Sequence, residues 1–164
     1  MSIKNVKPEK GSFKQGYYTE VNEKYIGPRP IIYRSSWEYK FMVYCDKTEG
    51  VLEWSSECVK VKYYNPITKK NHYYYPDFYM KVKKADGTIK KYIVEIKPSS
   101  HLKKPKQPKR VTEKALNNYR YISNQYIKNV FKADAAKKAA ASVGMEYIIL
   151  TEKSLKVWVN FQLK

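Results

Sequence analysis

Two carboxylates and a lysine stand in a spacing that chemistry can use. Asp77 lies within Tyr75-Pro76-Asp77-Phe78, and Glu95 and Lys97 lie within Val94-Glu95-Ile96-Lys97. Carboxylates are hard oxygen donors, and Mg2+ typically binds through one or two of them while keeping several waters. A lysine beside such an ion can orient or deprotonate an attacking water, or offset charge on a phosphate. A bare D…E-x-K pattern also describes an ordinary solvated strand face. Its weight depends on whether the chain folds the three groups together.

The intervening stretch bears on that question. Phe78–Lys83 and Ile89–Val94 are rich in β-branched and aromatic residues, with Ala85-Asp86-Gly87 between them. A three-residue hairpin loop places glycine third, where φ is positive. With Gly87 there, Lys84 pairs with Thr88, and counting back along both strands sets Asp77 directly opposite Glu95. Lys97, two residues beyond Glu95, shares its face. Phe78, Met80, Tyr92, Val94 and Ile96 point the other way, towards a core. The hairpin thus gathers the trio at one open end of a sheet. Like charges directly opposite repel, and a bound cation would remove that repulsion.

The rest of the composition says what such a site would act on. A chain of 164 residues forms one domain with a real core. Its 33 Lys and Arg against 15 Asp and Glu give a net charge of +18, which favours a polyanionic partner, nucleic acid ahead of an anionic membrane. No run approaches the roughly 20 apolar residues of a spanning helix. The start, Met-Ser-Ile-Lys-Asn-Val-Lys, has no apolar signal-peptide core. Cys45 and Cys58 lack CxxC spacing or a clustered histidine, which argues against zinc and for buried thiols of an intracellular protein.

The remaining elements must position the trio. Residues 1–30 read as a basic extended arm punctuated by glycine and proline, ahead of a main domain spanning 31–164. Trp37, Phe41, Tyr44 and Cys45 form a helical face behind Ser35. Glu38 fits an S-x-x-E capping box with Ser35, and it also fits a third carboxylate aimed at a metal. Val59–Tyr63 reads as a strand, Pro66–Asn71 as a turn, and His72–Tyr75 as the start of the return strand. A lone strand histidine such as His72 is more often structural than catalytic.

Beyond Lys97 a proline-punctuated basic loop, 98–111, carries Lys103, Lys104, Lys106, Lys109 and Arg110 and no acid. Starting where it does, the loop is expected to track DNA phosphates. Thr112 caps a helical stretch running to Val143, as one helix or two, and Gly144 ends it. Met145–Leu150 reads as a buried strand. Strict alternation of Leu155, Val157, Val159, Phe161 and Leu163 suggests a last one.

The order helix, three strands, helix, strand, with carboxylates on the second and third strands, resembles the PD-(D/E)XK nuclease superfamily. Pro76-Asp77 and Glu95-Ile96-Lys97 match its signature. Ile32–Met42, Val51–Glu57, Tyr75–Phe78 and Val94–Pro98, extended by Tyr126–Asn129 and Tyr147–Glu152, look similar to head completion nucleases of T-even-like bacteriophages. The chain is also similar to transposon subunits that nick the 5′ ends of their element.

The resemblance implies an α/β, restriction-endonuclease-like core with a mixed central sheet flanked by helices. It implies Mg2+, with Mn2+ as a substitute, on Asp77, Glu95, the backbone carbonyl of Ile96 and Glu38, and it implies that Lys97 assists the attacking water. The expected role is DNA cleavage in head completion, trimming packaged DNA before tails join. That role implies head, portal or neck proteins as partners, the host cytoplasm and the virion as locations, and no membrane. The rival expectations are an architectural head plug that binds DNA ends, and a transposon-type or repair nuclease.

Overall fold

A computed structural model describes residues 15–160, the last three by backbone alone. In chain order the elements are β1 (Gly16–Tyr17), β2 (Ile32–Tyr33), α1 (Ser36–Lys47), β3 (Val51–Ser56), β4 (Val61–Asn65), β5 (Lys70–Tyr74), β6 (Phe78–Lys83) and β7 (Ile89–Ile96). A 3-10 turn at Ser99–Leu102, α2 (Glu113–Ser142), β8 (Glu146–Leu150) and α3 (Glu152–Asn160) complete the fold.

The β6–β7 hairpin has the register expected from its loop. Gly87 sits at φ 84°, the Lys84 N–H donates to the Thr88 carbonyl at 2.8 Å, and Phe78 pairs with Val94. β3 and β7 flank β6 antiparallel, and β8 returns parallel to β7 through the α2 crossover. The result is a mixed four-stranded sheet, β3-β6-β7-β8. Among the described residues β4 and β5 pair only with each other, as a hairpin between β3 and β6.

The two sheet faces are packed differently. One holds the main core: Phe41, Met42 and Cys45 of α1 meet Val51, Trp54, Phe78, Met80 and Val94, with Leu150 and Leu155 closing it. The arm is extended but belongs to this core in its described part. β1 pairs with β2, Tyr18 and Tyr25 are buried, and the Tyr25 ring packs edge-on to Trp54 at 4.7 Å. The other face is crossed by α2, with Val61, Tyr63 and Tyr74 of the small hairpin buried against Ala136.

One strand goes unread in the sequence and two expectations change. β3 was not legible as a strand, because a bulge between Val51 and Glu53 and a run of buried residues at its end break the alternation. Leu155 and Val157 lie on a helix. Thr151 and Ser154 bond reciprocally (Thr151 N–H to Ser154 Oγ at 2.7 Å, Ser154 Oγ to the Thr151 carbonyl at 3.1 Å), and the Leu155 N–H then reaches the Thr151 carbonyl. This local cap overrides the period-two pattern; Phe161 and Leu163 lie outside the described residues. Cys58 is exposed, since it follows the turn at Glu57, where φ is 48°; only Cys45 is buried. His72 is held at the hairpin turn by Thr68 at 2.7 Å, in keeping with a structural role.

The long helical stretch is one helix. Thr112 caps it by accepting from the Ala115 N–H, and it ends where Gly144, at φ 71°, lets the Met145 N–H turn back to the Ala140 carbonyl. Among the described residues no helix is long and apolar enough to cross a membrane.

Candidate active site

Asp77 is the residue before β6, and its backbone carbonyl is held by the Glu57 N–H at 3.0 Å. Its side chain crosses to the end of β7, where Oδ2 accepts from the Ile96 N–H at 2.7 Å. Glu95 is only 7% exposed. Its Oε1 accepts from Lys97 Nζ at 2.6 Å, while Oε2 is buried with no hydrogen-bond partner among the described residues. Lys97 Nζ lies 3.5 Å from Asn129 Oδ1 of α2, and its backbone N–H continues the ladder to Leu150. The hairpin does bring the three groups together. The site is not an open sheet end, however, because α2 crosses over it.

This packing explains the electrostatics. Burial pushes the Asp77 carboxyl well above the usual range, and the charge of Glu95 adds to that, with a smaller push from Glu38; the Ile96 N–H and Lys97 pull the other way. The Tyr74 hydroxyl donates to the Lys132 carbonyl at 2.9 Å, and burial, then the charge of Glu95, raises the phenols of both Tyr74 and Tyr147. They are neutral hydroxyls beside the carboxylates. Lys132 of α2 is pushed down by burial and then by Lys97 and Lys128, while Glu95 and Asp77 pull it up. Its Nζ lies 5.0 Å from the Tyr74 ring centre and 5.5 Å from that of Tyr63. Among the described residues no carboxylate pairs with it.

Glu38 sits at the start of α1 and forms the capping box. Oε1 accepts from the Ser35 hydroxyl at 3.1 Å, Oε2 accepts from the Arg34 N–H at 2.7 Å, and the Ser35 Oγ accepts from the Glu38 N–H. Burial raises its carboxyl against the lowering effect of these bonds. It contributes to the field at Asp77, yet the three carboxylates do not converge. Among the described residues no three Asp, Glu, His or Cys side chains cluster as a metal site. Lys103, Lys104, Lys106, Lys109 and Arg110 form an exposed run beyond the 3-10 turn, and no described carboxylate pairs with any of them.

The donors nevertheless suit a hard divalent cation. They are all oxygens, one of them buried without a partner, and the second carboxyl is destabilised in its charged form by the first. A cation would relieve both conditions. Asn129 and Lys132, which complete the surroundings, were not singled out as site residues from the sequence. Their separation of three residues places both on one helix face, and Asn129 closes the Tyr126–Asn129 segment, so a signal was present.

A mixed sheet flanked by helices, with Asp77, Glu95 and Lys97 at one end of its central hairpin, is a restriction-endonuclease-like DNA endonuclease. The chain belongs to the family described as TnsA-like endonuclease N terminal, which matches residues 48–152. That span holds β3 to β8 and the whole Asp77, Glu95 and Lys97 set; Glu38 and all of α1 precede it. The chain is also 31% identical over 134 residues to the head completion nuclease of Enterobacteria phage T4, covering 81% of this chain and 87% of that protein. No solved structure matches.

Proposed function

We propose that this chain is a divalent-metal-dependent endonuclease of phage head completion, trimming packaged DNA before heads and tails join. The observation that carries the chemistry is Glu95: buried, paired through one oxygen with Lys97, unpartnered at the other, and set against Asp77. The biological setting, with head or neck proteins as partners in the infected cytoplasm, rests on the name of the T4 relative.

Asp77, Glu95 and the Ile96 carbonyl are the groups assigned to hold Mg2+, or Mn2+ in its place; Glu38, both of whose oxygens cap the start of α1, adds only to the negative field around them. When bound, such an ion supplies a Lewis acid for a phosphate oxygen and makes water a better nucleophile near neutral pH. Lys97, held between Glu95 and Asn129, orients the attacking water and offsets negative charge developing on the scissile phosphate. Lys132, which has no carboxylate partner among the described residues, adds a second cation on the α2 side. The five basic residues of the 103–110 loop extend the positive surface along the DNA backbone.

Nicking of supercoiled plasmid tests this reading. Wild-type protein is expected to nick with Mg2+ and to stop in EDTA, and Lys97→Ala is expected to lose nicking. A wild-type rate in Lys97→Ala would overturn the assignment. A variant that cannot nick yet restores head–tail joining in phage complementation would instead favour the architectural role.

A further inference from the structure

Beside the catalytic trio lies a feature whose lining, Asn129 and Lys103 apart, has no part in the proposed cleavage chemistry. A cleft of about 260 Å3 runs between the Ser99–Leu102 turn, with the loop after it, and the first half of α2. Both walls are fixed. Ser99 donates its N–H to Glu152 Oε2 at 2.8 Å and its hydroxyl to the other oxygen, tying the turn to the start of α3. The opposite wall is a helix on which Tyr121, Gln125 and Asn129 follow one another a turn apart, about 6 Å per step, with Tyr126 alongside. Asn129 lines the cleft and also lies 3.5 Å from Lys97 Nζ, so the cleft leads to the catalytic lysine.

Resting on the nuclease reading, we propose that this cleft takes one unpaired nucleobase next to the phosphate being cut, so that the preferred substrate is DNA with an unpaired nucleotide at the cleavage point. The lining has the chemistry of a nucleotide site. Tyr121 is 64% exposed and offers a flat π surface at the mouth. Gln125 offers an amide donor and acceptor to a base edge, Asn129 offers its amide N–H groups while its Oδ1 faces Lys97, and Lys103 offers a cation to the backbone.

Size and pairing narrow the choice further. The volume falls just below the roughly 300–1,000 Å3 of small-molecule sites, enough for one planar group and far too little for a duplex. A base within a duplex has both faces covered by its neighbours. Only a base out of the stack can present a face to an aromatic ring.

The test uses full-length protein, Mg2+ and three DNAs of one sequence: a fully paired duplex, the same duplex with one unpaired nucleotide, and that DNA with the unpaired base removed. Cleavage beside the unpaired base is expected to exceed the other two by at least about fivefold, the lower end of base–aromatic stacking. Tyr121→Ala should abolish the preference and Tyr121→Phe should keep it. A 2-aminopurine at the unpaired position should be quenched on binding by wild type and not by Tyr121→Ala. Equal rates on the three DNAs, or a preference that survives in Tyr121→Ala, would overturn the inference while leaving the nuclease standing. Cleavage of none of the three would remove the nuclease reading as well.

Discussion

Asp46 and Asp77 lie on opposite sides of the same sheet, and the chain treats them in opposite ways. Asp46 accepts from the Tyr18 hydroxyl and from Trp54 Nε1, both at 2.7 Å, so each oxygen has a neutral donor. That carboxylate ties the N-terminal arm to the end of α1 and to the core of β3. Asp77 accepts one backbone N–H and otherwise faces Glu95, whose own second oxygen has no partner. The first side is satisfied and holds the fold. The second keeps repulsion and an unpaired acceptor where a ligand would relieve both. Polar groups left unsatisfied beneath a packed helix mark the site more clearly than the acidic residues themselves do.

The contrast can be broken by substitution. The largest effect is expected at Lys97: Lys97→Ala should fold and bind DNA while turnover falls by a factor on the order of 10²–10⁴. Single-turnover nicking and binding anisotropy check the two halves. Next comes the loop leaving the site side. Replacing Lys103, Lys104, Lys106, Lys109 and Arg110 should weaken DNA binding similarly across sequences. It should also flatten the salt dependence by about 0.9 in log–log slope for each phosphate the loop no longer neutralises. An unchanged slope would mean that the loop is only solvated.

On the satisfied side, Asp46→Ala should cost about 3 kcal/mol in urea unfolding, because two hydrogen bonds to a charged acceptor vanish and strand their donors. Nicking per folded molecule should hold. A cost below about 1 kcal/mol would remove the distinction drawn between the two aspartates.

The smallest effect has the opposite sign. The Asp77 carboxyl is raised in the folded, metal-free protein, so folding favours its protonated form. The stability this confers is present below the unfolded carboxyl value and is lost as pH rises from there through the folded value. Metal-free Asp77→Asn, which cannot ionise, should therefore exceed wild type in stability at neutral pH, with the gap closing as pH falls towards about 4. Thermal melts with EDTA across that range measure it, and a wild type that is the more stable at neutral pH would contradict the electrostatics.

What the sequence made legible follows from the range of the physics involved. The β6–β7 register was readable because one glycine and a short loop set it locally, and the register carried Asp77, Glu95 and Lys97 with it. The α2 caps at Thr112 and Gly144 were readable for the same reason. The cover over the site was not, since it depends on α2 packing back across β7 and β8 and bringing Asn129 and Lys132 to Lys97 from more than 30 residues away. Asp46 was missed because its partners, Tyr18 and Trp54, meet it only through the tertiary fold. At Leu155 a visible alternation misled, and the Thr151–Ser154 cap that overrides it was also in the sequence.

On the proposed reading, Asp77 and Glu95 act as a pair on a divalent ion. Titrating Mn2+ calorimetrically into wild type, Asp77→Asn and Glu95→Gln tests it most directly. Binding should be measurable in wild type and strongly weakened in each variant, with all three folded by circular dichroism. Unchanged affinity in Asp77→Asn, or no binding to the wild type, would contradict the account.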